Sequence, residues 1–332
     1  MELPAPLKAA VEQMLAHEPI ERLARASDRL SDRYRREVRD GKLHLDGELA
    51  AKAYLATRLP ATYAAVRAAL SMVEDAAPDF HPNRLLDFGA GPGTVLWAAS
   101  DAWPALGQAT LIEASPAIRS VGTRLAGAST VATEWLAGDI TGSVPPLEPA
   151  DLVTLAYVLD EIAETAMASV VKRLWDLTAH TLVIVEPGTP AGWRRILATR
   201  QMLIDAGAKI VAPCPHAADC PITAPDWCHF SRRVARSRVH RLSKGAEVPW
   251  EDEKYIFIAA SRFDAAPPSA RVLSPPRLSS GLARLKFCLA DGHAEEMTVS
   301  RRDGAVFKVA RRADWGDAFE PVETGDGDDD ET

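Results

Sequence analysis

Short apolar runs alternate with helical stretches from residue 84 onward, and this alternation constrains the fold more than any other feature. The runs are rich in Leu, Ile and Val and cover residues 84–88, 109–113, 151–156 and 181–185. Strands separated by helices pair in parallel, because the crossover helix returns the chain to the same end of the sheet. The pattern therefore predicts an α/β protein with a doubly wound, Rossmann-like parallel sheet.

The segment before this core has a different pattern. Residues 1–80 are dominated by Ala, Leu, Glu and Arg, with apolar residues three and four positions apart. That spacing predicts an N-terminal helical region. We assign residues 81–265 to the sheet domain. Two further strand candidates, 209–212 and 255–259, bracket an insertion at residues 213–250.

The segment after the core begins with a proline-rich link. Within residues 266–320, alternating runs at 283–288 and 305–309 lie beside Asp-Gly turn signals, which predicts a small antiparallel β unit. Residues 321–332 carry six acids and no base, which predicts a disordered acidic tail.

Basic residues are concentrated in one stretch of a chain whose net charge is −8. The stretch from residue 229 to residue 244 contains no acid. Its cations are Arg232, Arg233, Arg236, Arg238, Arg241 and Lys244. Phosphate binding requires local positive potential, so this stretch is the candidate RNA-binding surface.

A glycine-rich loop follows the first predicted strand and opens the next helix. Glycines at such a turn let the backbone approach a ligand closely, and an acid at the end of the next strand commonly bonds ribose hydroxyls. The order of glycines and acids resembles a class I S-adenosylmethionine-dependent methyltransferase; the dinucleotide spacing Gly-x-Gly-x-x-Gly is not met. The candidate cofactor residues are Asp87, Gly89, Gly91, Gly93, Glu113 and Asp139. A simple strand-to-helix turn, and a turn role for Asp139, are the alternatives.

The loop after the fourth strand, residues 157–162, is where methyltransferases commonly carry catalytic groups. It lacks the Asn/Asp-Pro-Pro-aromatic tetrad that holds a flipped amino-bearing base. No catalytic residue is assigned, and whether the chain is an enzyme stays open.

All four cysteines could meet at one metal. Cys214, Cys220 and Cys228 are separated by five and seven residues, and Cys288 is remote. Zinc sites favour pairs two to four residues apart, so an iron–sulfur cluster is the first choice and zinc the second. Four unligated buried thiols are the third reading. His216 and His229 are expected beside the metal or facing phosphate.

The cysteine spacing, the run Asp87-Phe-Gly-Ala-Gly-Pro-Gly93 and the motif Arg58-Leu-Pro-Ala-Thr-Tyr63 together resemble the methyltransferase-like assembly factors of the small ribosomal subunit. This family has bacterial and mitochondrial members. The resemblance spans about residues 50 to 317 and includes Ala313-Asp-Trp-Gly-Asp317.

The resemblance implies a class I methyltransferase fold, bound S-adenosylmethionine and a 4Fe-4S cluster on Cys214, Cys220, Cys228 and Cys288. It also implies binding to small-subunit rRNA during ribosome biogenesis, with rRNA methylation as the activity. The alternatives are a catalytically inactive RNA-binding assembly factor and a zinc-stapled methyltransferase with a non-ribosomal substrate.

The remaining expectations concern location and assembly. No uncharged stretch approaches 18 residues and no targeting segment is evident, so we expect no membrane partner and a bacterial cytoplasmic location. We also expect the free protein to be a monomer.

Overall fold

A computed structural model of the protein describes residues 1–35, 47–142 and 144–320. The predicted tail at 321–332 lies outside the described residues. The chain divides into two compact units. The first comprises Met1–Pro213 and Trp227–Ala266, and the second comprises Cys214–Asp226 and the chain from Pro267 onward.

The first unit begins with helices and continues as an α/β sheet. Its helices are α1 (Ala5–Leu15), α2 (Ile20–Arg35), α3 (Glu48–Thr57), α4 (Leu59–Ala76), α5 (Thr94–Ala102), α6 (Pro116–Ala126), α7 (Glu164–Asp176), α8 (Pro190–Asp205) and α9 (Arg238–Ser243). Its strands are β1 (Arg84–Phe88), β2 (Gln108–Glu113), β3 (Ala132–Ala137), β4 (Ala150–Ala156), β5 (Thr178–Pro187), β6 (Lys209–Ala212), β7 (Phe230–Ala235) and β8 (Trp250–Ser261).

The sheet has the strand order β3-β2-β1-β4-β5-β8-β6, and β7 adds to β8. The first five strands in this order are parallel, whereas β8 runs antiparallel to β5, β6 and β7. The sheet is therefore mixed, which corrects the expectation of a wholly parallel one. β8 lies between β5 and β6 and runs antiparallel to both. This is the arrangement of class I methyltransferases, so that part of the fold prediction is confirmed.

Burial on both faces explains why the central strands are apolar runs. β4 and β5 are flanked by strands on both sides, and Leu152, Val153, Leu182 and Ile184 are all fully buried. α4 packs against α5, and its many alanines allow close approach. None of the described helices is long and apolar enough to cross a membrane.

The second half of the predicted insertion at 213–250 belongs to the main sheet. Residues 214–229 contain no helix or strand, but β7 pairs with β8 along its whole length. The arginines of this region therefore lie on a strand of the main sheet and on α9. β7 has two adjacent arginines at its centre and so lacks the apolar run that marks the other strands in the sequence.

The second unit is a small antiparallel sheet with one helix. It contains β9 (Ala270–Val272), β10 (Arg277–Ser279), β11 (Leu282–Leu289), β12 (Ala294–Ser300), a 3-10 turn (Arg301–Asp303), α10 (Gly304–Ala310) and β13 (Ala318–Phe319). β11 is central: β12 pairs along one side of it, while β10 and β9 share the other side. Its core holds Val272, Leu285, Phe287, Val299 and Phe307.

One predicted strand is a helix. Residues 305–309 alternate apolar and polar side chains, yet they form α10. Phe307 and Ala310 are three positions apart and both face the core of the second unit, which is helical spacing. A run this short satisfies both periods, so the sequence could not distinguish them.

Candidate functional site

The glycine loop between β1 and α5 has the backbone that the sequence predicts. Gly89, Gly91 and Gly93 all have positive φ, of 65°, 55° and 81°. A side chain at Gly89 would collide with Val158, whose Cγ2 lies 2.4 Å from the Cβ position. By contrast, a Cβ at Gly91 would have no neighbour within 4 Å. The loop is therefore closed by protein at Gly89 and open at Gly91.

Glu113, at the end of β2, holds this loop in place. Its Oε2 accepts a 2.9 Å hydrogen bond from the Gly91 amide, and its Oε1 accepts one of 2.7 Å from the Ser115 amide. Burial raises the pKa of Glu113, opposed by these two amides. The structure thus brings Glu113 and the glycine loop together, as expected for an adenosine-binding site.

Asp87 lies beneath the loop and is fully buried. The Thr154 hydroxyl donates to its Oδ1 at 2.7 Å, while no described residue hydrogen-bonds its Oδ2. Burial raises the pKa of Asp87 to about 7. A buried acceptor without a partner is unusual in a folded protein, and it fits a site that gains a donor from a ligand.

Asp139 follows β3 and is engaged locally. Its Oδ1 accepts 2.8 Å hydrogen bonds from both the amide and the hydroxyl of Thr141. This is the turn role that the sequence left as an alternative. Contact between Asp139 and an adenine ring stays a prediction.

A polar cluster that the sequence analysis missed lies where β4 ends. Tyr157 has a φ of 59°, a left-handed conformation that is rare for a side chain of this size. Its hydroxyl donates to Glu253 Oε1 at 3.1 Å, and Arg58 donates to the same oxygen at 3.2 Å. Arg58 precedes α4, so the cluster connects the N-terminal helices to the loop after β4. The sequence signal for this cluster was the position of Arg58 at the start of the motif that runs to Tyr63.

A second buried acid orders the same loop. Glu186, at the end of β5, accepts a 3.0 Å hydrogen bond from the Leu159 amide and one of 3.1 Å from Arg195. Burial, with the nearby Asp160, raises the pKa of Glu186 to about 8. The arrangement fixes the loop after β4 and presents no paired acid and base to solvent.

The predicted RNA-binding cations divide into two groups. Arg236, Lys244 and the buried His240 surround Glu251 of β8, at 3.1, 3.6 and 3.3 Å. Arg233 pairs with Asp252 at the surface, at 2.9 Å. Three of the six cations have no ion pair with any residue the structure describes. These are Arg232, Arg238 and Arg241.

Arg236 and Lys244 are engaged by Glu251, and a role for them in RNA binding stays a prediction. Their acidic partner lies on β8, which was not recognised as pairing with the arginine-bearing β7. These two cations build the fold of the surface around Glu251. The other four cations lie outside this cluster and are accessible to a ligand.

The four thiols are divided between the two units. Cys214, Cys220 and Cys288 belong to the second unit, whereas Cys228 belongs to the first. None forms a disulfide. In the second unit, His216 Nε2 lies 3.3 Å from Cys288 Sγ. Among the described residues no three His, Cys, Asp or Glu side chains stand close enough to hold a metal ion.

The donor chemistry nevertheless fits a metal. Cys214, Cys220 and Cys228 form no disulfide and are partly accessible, on a segment with no regular structure. His229 stacks on Trp227, and the Trp227 indole donates to the Gly188 carbonyl at 3.0 Å. The chain beside Cys228 is thus anchored to the end of β5. His216 lies beside a predicted ligand, as expected.

The chain is similar in sequence to several mitochondrial proteins. It is 29% identical over 292 residues to the human mitochondrial ribosome assembly protein METTL17, covering 82% of this chain and 62% of that protein. It is 24% identical over 324 residues to the mitochondrial Rsm22-cox11 tandem protein 2 of Schizosaccharomyces pombe, covering 82% of this chain and 43% of that one. The chain thus spans less than two thirds of these relatives.

These relatives correct one expectation. The predicted bacterial cytoplasmic location is wrong, because the matched proteins and the matched family are described as mitochondrial.

Solved structures similar to the chain include methyltransferases. The magnesium protoporphyrin IX methyltransferase of Synechocystis with bound S-adenosylmethionine has 16% identity and a TM-score of 0.40, over 70% of this chain and 91% of that one. An O-methyltransferase family protein from Burkholderia thailandensis has 14% identity and a TM-score of 0.42, over 70% and 68%.

A family model matches the chain from residue 48 to residue 320, which includes the glycine loop, both basic elements and all four cysteines. That stretch is most of the 332 residues. The chain belongs to the family described as the mitochondrial small ribosomal subunit protein Rsm22.

Proposed function

We propose that this protein is an assembly factor of the small ribosomal subunit that binds the subunit's rRNA through β7 and α9. The names of its family and of its human relative support the assembly role, and they favour a mitochondrial setting. The observation that carries the RNA-binding part is a set of cations, three exposed and Arg241 partly exposed, beside an exposed aromatic ring. We call these residues the β7–α9 surface: Arg232, Arg233, Arg238, Arg241 and Trp250.

The β7–α9 surface has the chemistry of RNA recognition. Arg238 and Arg241 are three residues apart on α9 and so share a face. Trp250 is 43% exposed, and the Arg233 guanidinium lies 5.6 Å from its ring centre. Guanidinium groups neutralise phosphates, and exposed aromatic rings stack on unpaired bases. The Arg233 ion pair with Asp252 is exposed, so exchanging it for a phosphate costs little.

The interior of this surface is fixed in advance. Glu251 of β8 holds Arg236, which directly follows β7, and Lys244, which directly follows α9. Burial alone would raise the pKa of Glu251, but the surrounding basic groups lower it to about 2. The exposed arginines therefore extend from a rigid base, which reduces the entropy lost on binding.

We propose that the glycine loop holds S-adenosylmethionine as a bound ligand. Gly91 offers open space, Glu113 can meet ribose hydroxyls, and the free Oδ2 of Asp87 can accept a hydrogen bond. Gly89, Gly93 and Asp139 complete the proposed set. S-adenosylmethionine would supply a transferable methyl group there, but binding alone is assigned to this chain.

The loop after β4 supports a role in binding without methyl transfer. Tyr157 directly follows β4, and its hydroxyl is held by Glu253. The base-holding tetrad is absent from residues 157–162. We therefore propose that the fold binds the ligand as a scaffold, without methylating RNA.

A 4Fe-4S cluster on Cys214, Cys220, Cys228 and Cys288 is also proposed. Four thiols that form no disulfide and the irregular 214–229 segment support it. Protein purified anaerobically is expected to contain about four iron and four sulfide per chain, since each iron takes one thiolate. A Cys228→Ser variant is expected to lose most of both. One zinc and no sulfide would overturn the assignment.

One experiment tests the proposed function. Immature small subunits are incubated with the protein and tritiated S-adenosylmethionine and then separated on a gradient. The protein is expected to sediment with the subunit, and the RNA is expected to carry no tritium. Protein remaining at the top would contradict subunit binding, whereas labelled RNA would contradict the non-catalytic role.

A further inference from the structure

The sheet of the second unit has one face covered by α10 and an opposite face that is only partly covered. Side chains alternate along β11, so Ala283, Leu285 and Phe287 enter the core while Leu282 and Arg284 lie on the outer face. Apart from Cys288 at one end, the outer face carries no residue that the proposed function uses.

The outer face has a covered half and an open half. In the covered half, Cys288 and Arg271 are buried, and Lys286 pairs with Asp226 from the 214–226 segment. In the open half, Arg277 of β10 lies directly opposite Arg284 of β11, and both are exposed. The 214–226 segment therefore covers only one end of the sheet.

Two arginines directly opposite each other on neighbouring strands repel and destabilise the sheet. Among the residues the structure describes, neither Arg277 nor Arg284 has an ion pair or a side-chain hydrogen bond. The facing residue on the other side of Arg284 is Thr298, which is neutral. No described residue pairs a negative charge with either arginine to relieve this repulsion.

A third cation lies beside this pair. Arg301 is exposed, and its side chain lies against Gly281 in the turn that joins β10 to β11. Two acids lie near this region, and both have other partners. Asp303 accepts hydrogen bonds from Ser300, and Glu296 lies opposite Lys286 on the neighbouring strand. Leu282 is 43% exposed on the same face and adds apolar surface.

We propose that Arg277, Arg284 and Arg301, the outer-face arginines, bind phosphates of the rRNA as a second contact surface. This rests on the proposed function, since it names a further part of the chain that meets the same RNA. Strands about 5 Å apart place the guanidinium groups at a spacing that suits adjacent phosphates of one strand. A polyanion on this face removes the repulsion between Arg277 and Arg284, so the sheet becomes more stable when RNA is bound.

The test compares two double variants of the full chain. Arg277→Gln/Arg284→Gln removes two outer-face charges, and Lys308→Gln/Arg312→Gln removes two exposed charges from α10 and the residues after it, on the opposite side of the sheet. Binding of end-labelled small-subunit rRNA is measured from 0.05 to 0.5 M salt. Thermal unfolding shows that both variants are folded.

The outer-face variant is expected to lower the slope of log affinity against log salt by about 1.4 to 1.8, for two phosphate contacts. The electrostatic contribution to binding vanishes near about 1 M salt, so the change in slope is counted from there. At 0.15 M salt the affinity of the variant for RNA is therefore expected to be roughly 10- to 30-fold below that of the unmodified protein. The α10 variant is expected to change neither quantity.

Three results would overturn the proposal. If unmodified protein binds RNA and the outer-face variant binds with equal affinity and slope, only this inference fails. If unmodified protein does not bind RNA, the proposed function fails with it. If polyglutamate competes at the same charge concentration as RNA, the surface belongs to an acidic protein.

Discussion

Replacing Gly91 with valine is expected to weaken S-adenosylmethionine binding by about 100-fold or more while the fold survives. The Cβ position at Gly91 is empty of protein, so the new side chain meets no neighbour. It would instead fill the space that the ligand needs, and a branched side chain at a φ of 55° would move the amide that Glu113 holds. A loss of about 100-fold corresponds to about 2.8 kcal/mol.

A matched control separates ligand exclusion from backbone strain. Gly207 also has positive φ, of 81°, and open space, but it lies in the turn between α8 and β6. Both Gly91→Val and Gly207→Val should lose about 1 to 2 kcal/mol of unfolding free energy from left-handed strain. Calorimetric titration should show lost binding for Gly91→Val alone. Equal binding by both variants would contradict the assigned ligand site.

Replacing Glu251 with glutamine is expected to lower the free energy of unfolding by about 2 kcal/mol at pH 7. The change leaves Arg236, Lys244 and the buried His240 close together without an anion. Removing one partner from a buried pair costs about 3–5 kcal/mol, and partial contact with water reduces that figure here. Denaturant unfolding measures the difference.

The pH dependence of this difference has a defined sign. The pKa of Glu251 is lowered from 4.5 to about 2 in the folded protein. The unfolded chain therefore binds a proton first as pH falls, so the stabilisation is complete above pH 4.5 and disappears as pH approaches 2. The unfolding free energies of wild type and Glu251→Gln should converge over that interval.

Asp252→Asn provides the control for Glu251. Asp252 is the next residue on β8, and it pairs with Arg233 at the surface. Exposed ion pairs contribute about 0.2 to 1 kcal/mol, so this variant should lose less than half of what Glu251→Gln loses. Equal losses would show that Glu251 does not anchor the surface.

The parallel strands were predictable because burial on both faces demands continuous apolar runs. β1 agrees with the prediction at both ends, and β2, β4 and β5 agree to within a few residues. The first half of β8 was missed because four consecutive residues, 251 to 254, are charged, and Asp252 among them pairs with Arg233 of β7. A strand stabilised by cross-strand ion pairs has no apolar signature in its own sequence.

The site was predictable where a backbone conformation dictates the residue. Gly89, Gly91 and Gly93 adopt left-handed backbone that favours glycine, and Glu113 follows from its place at the end of β2. The cluster of Tyr157, Glu253 and Arg58 was not predictable. Its members lie about 100 residues apart, and only the tertiary fold brings their side chains together.

The central claim is that the β7–α9 surface binds small-subunit rRNA, and the salt dependence of binding tests it directly. Arg238→Gln/Arg241→Gln removes two charges from α9 that no described residue pairs with. The control is Arg84→Gln/Arg194→Gln, which removes two exposed charges at the start of β1 and on α8. We predict that the α9 variant lowers the slope of log affinity against log salt by about 1.4 to 1.8, while the control keeps the wild-type slope. Identical slopes for the α9 variant and wild type would contradict the account.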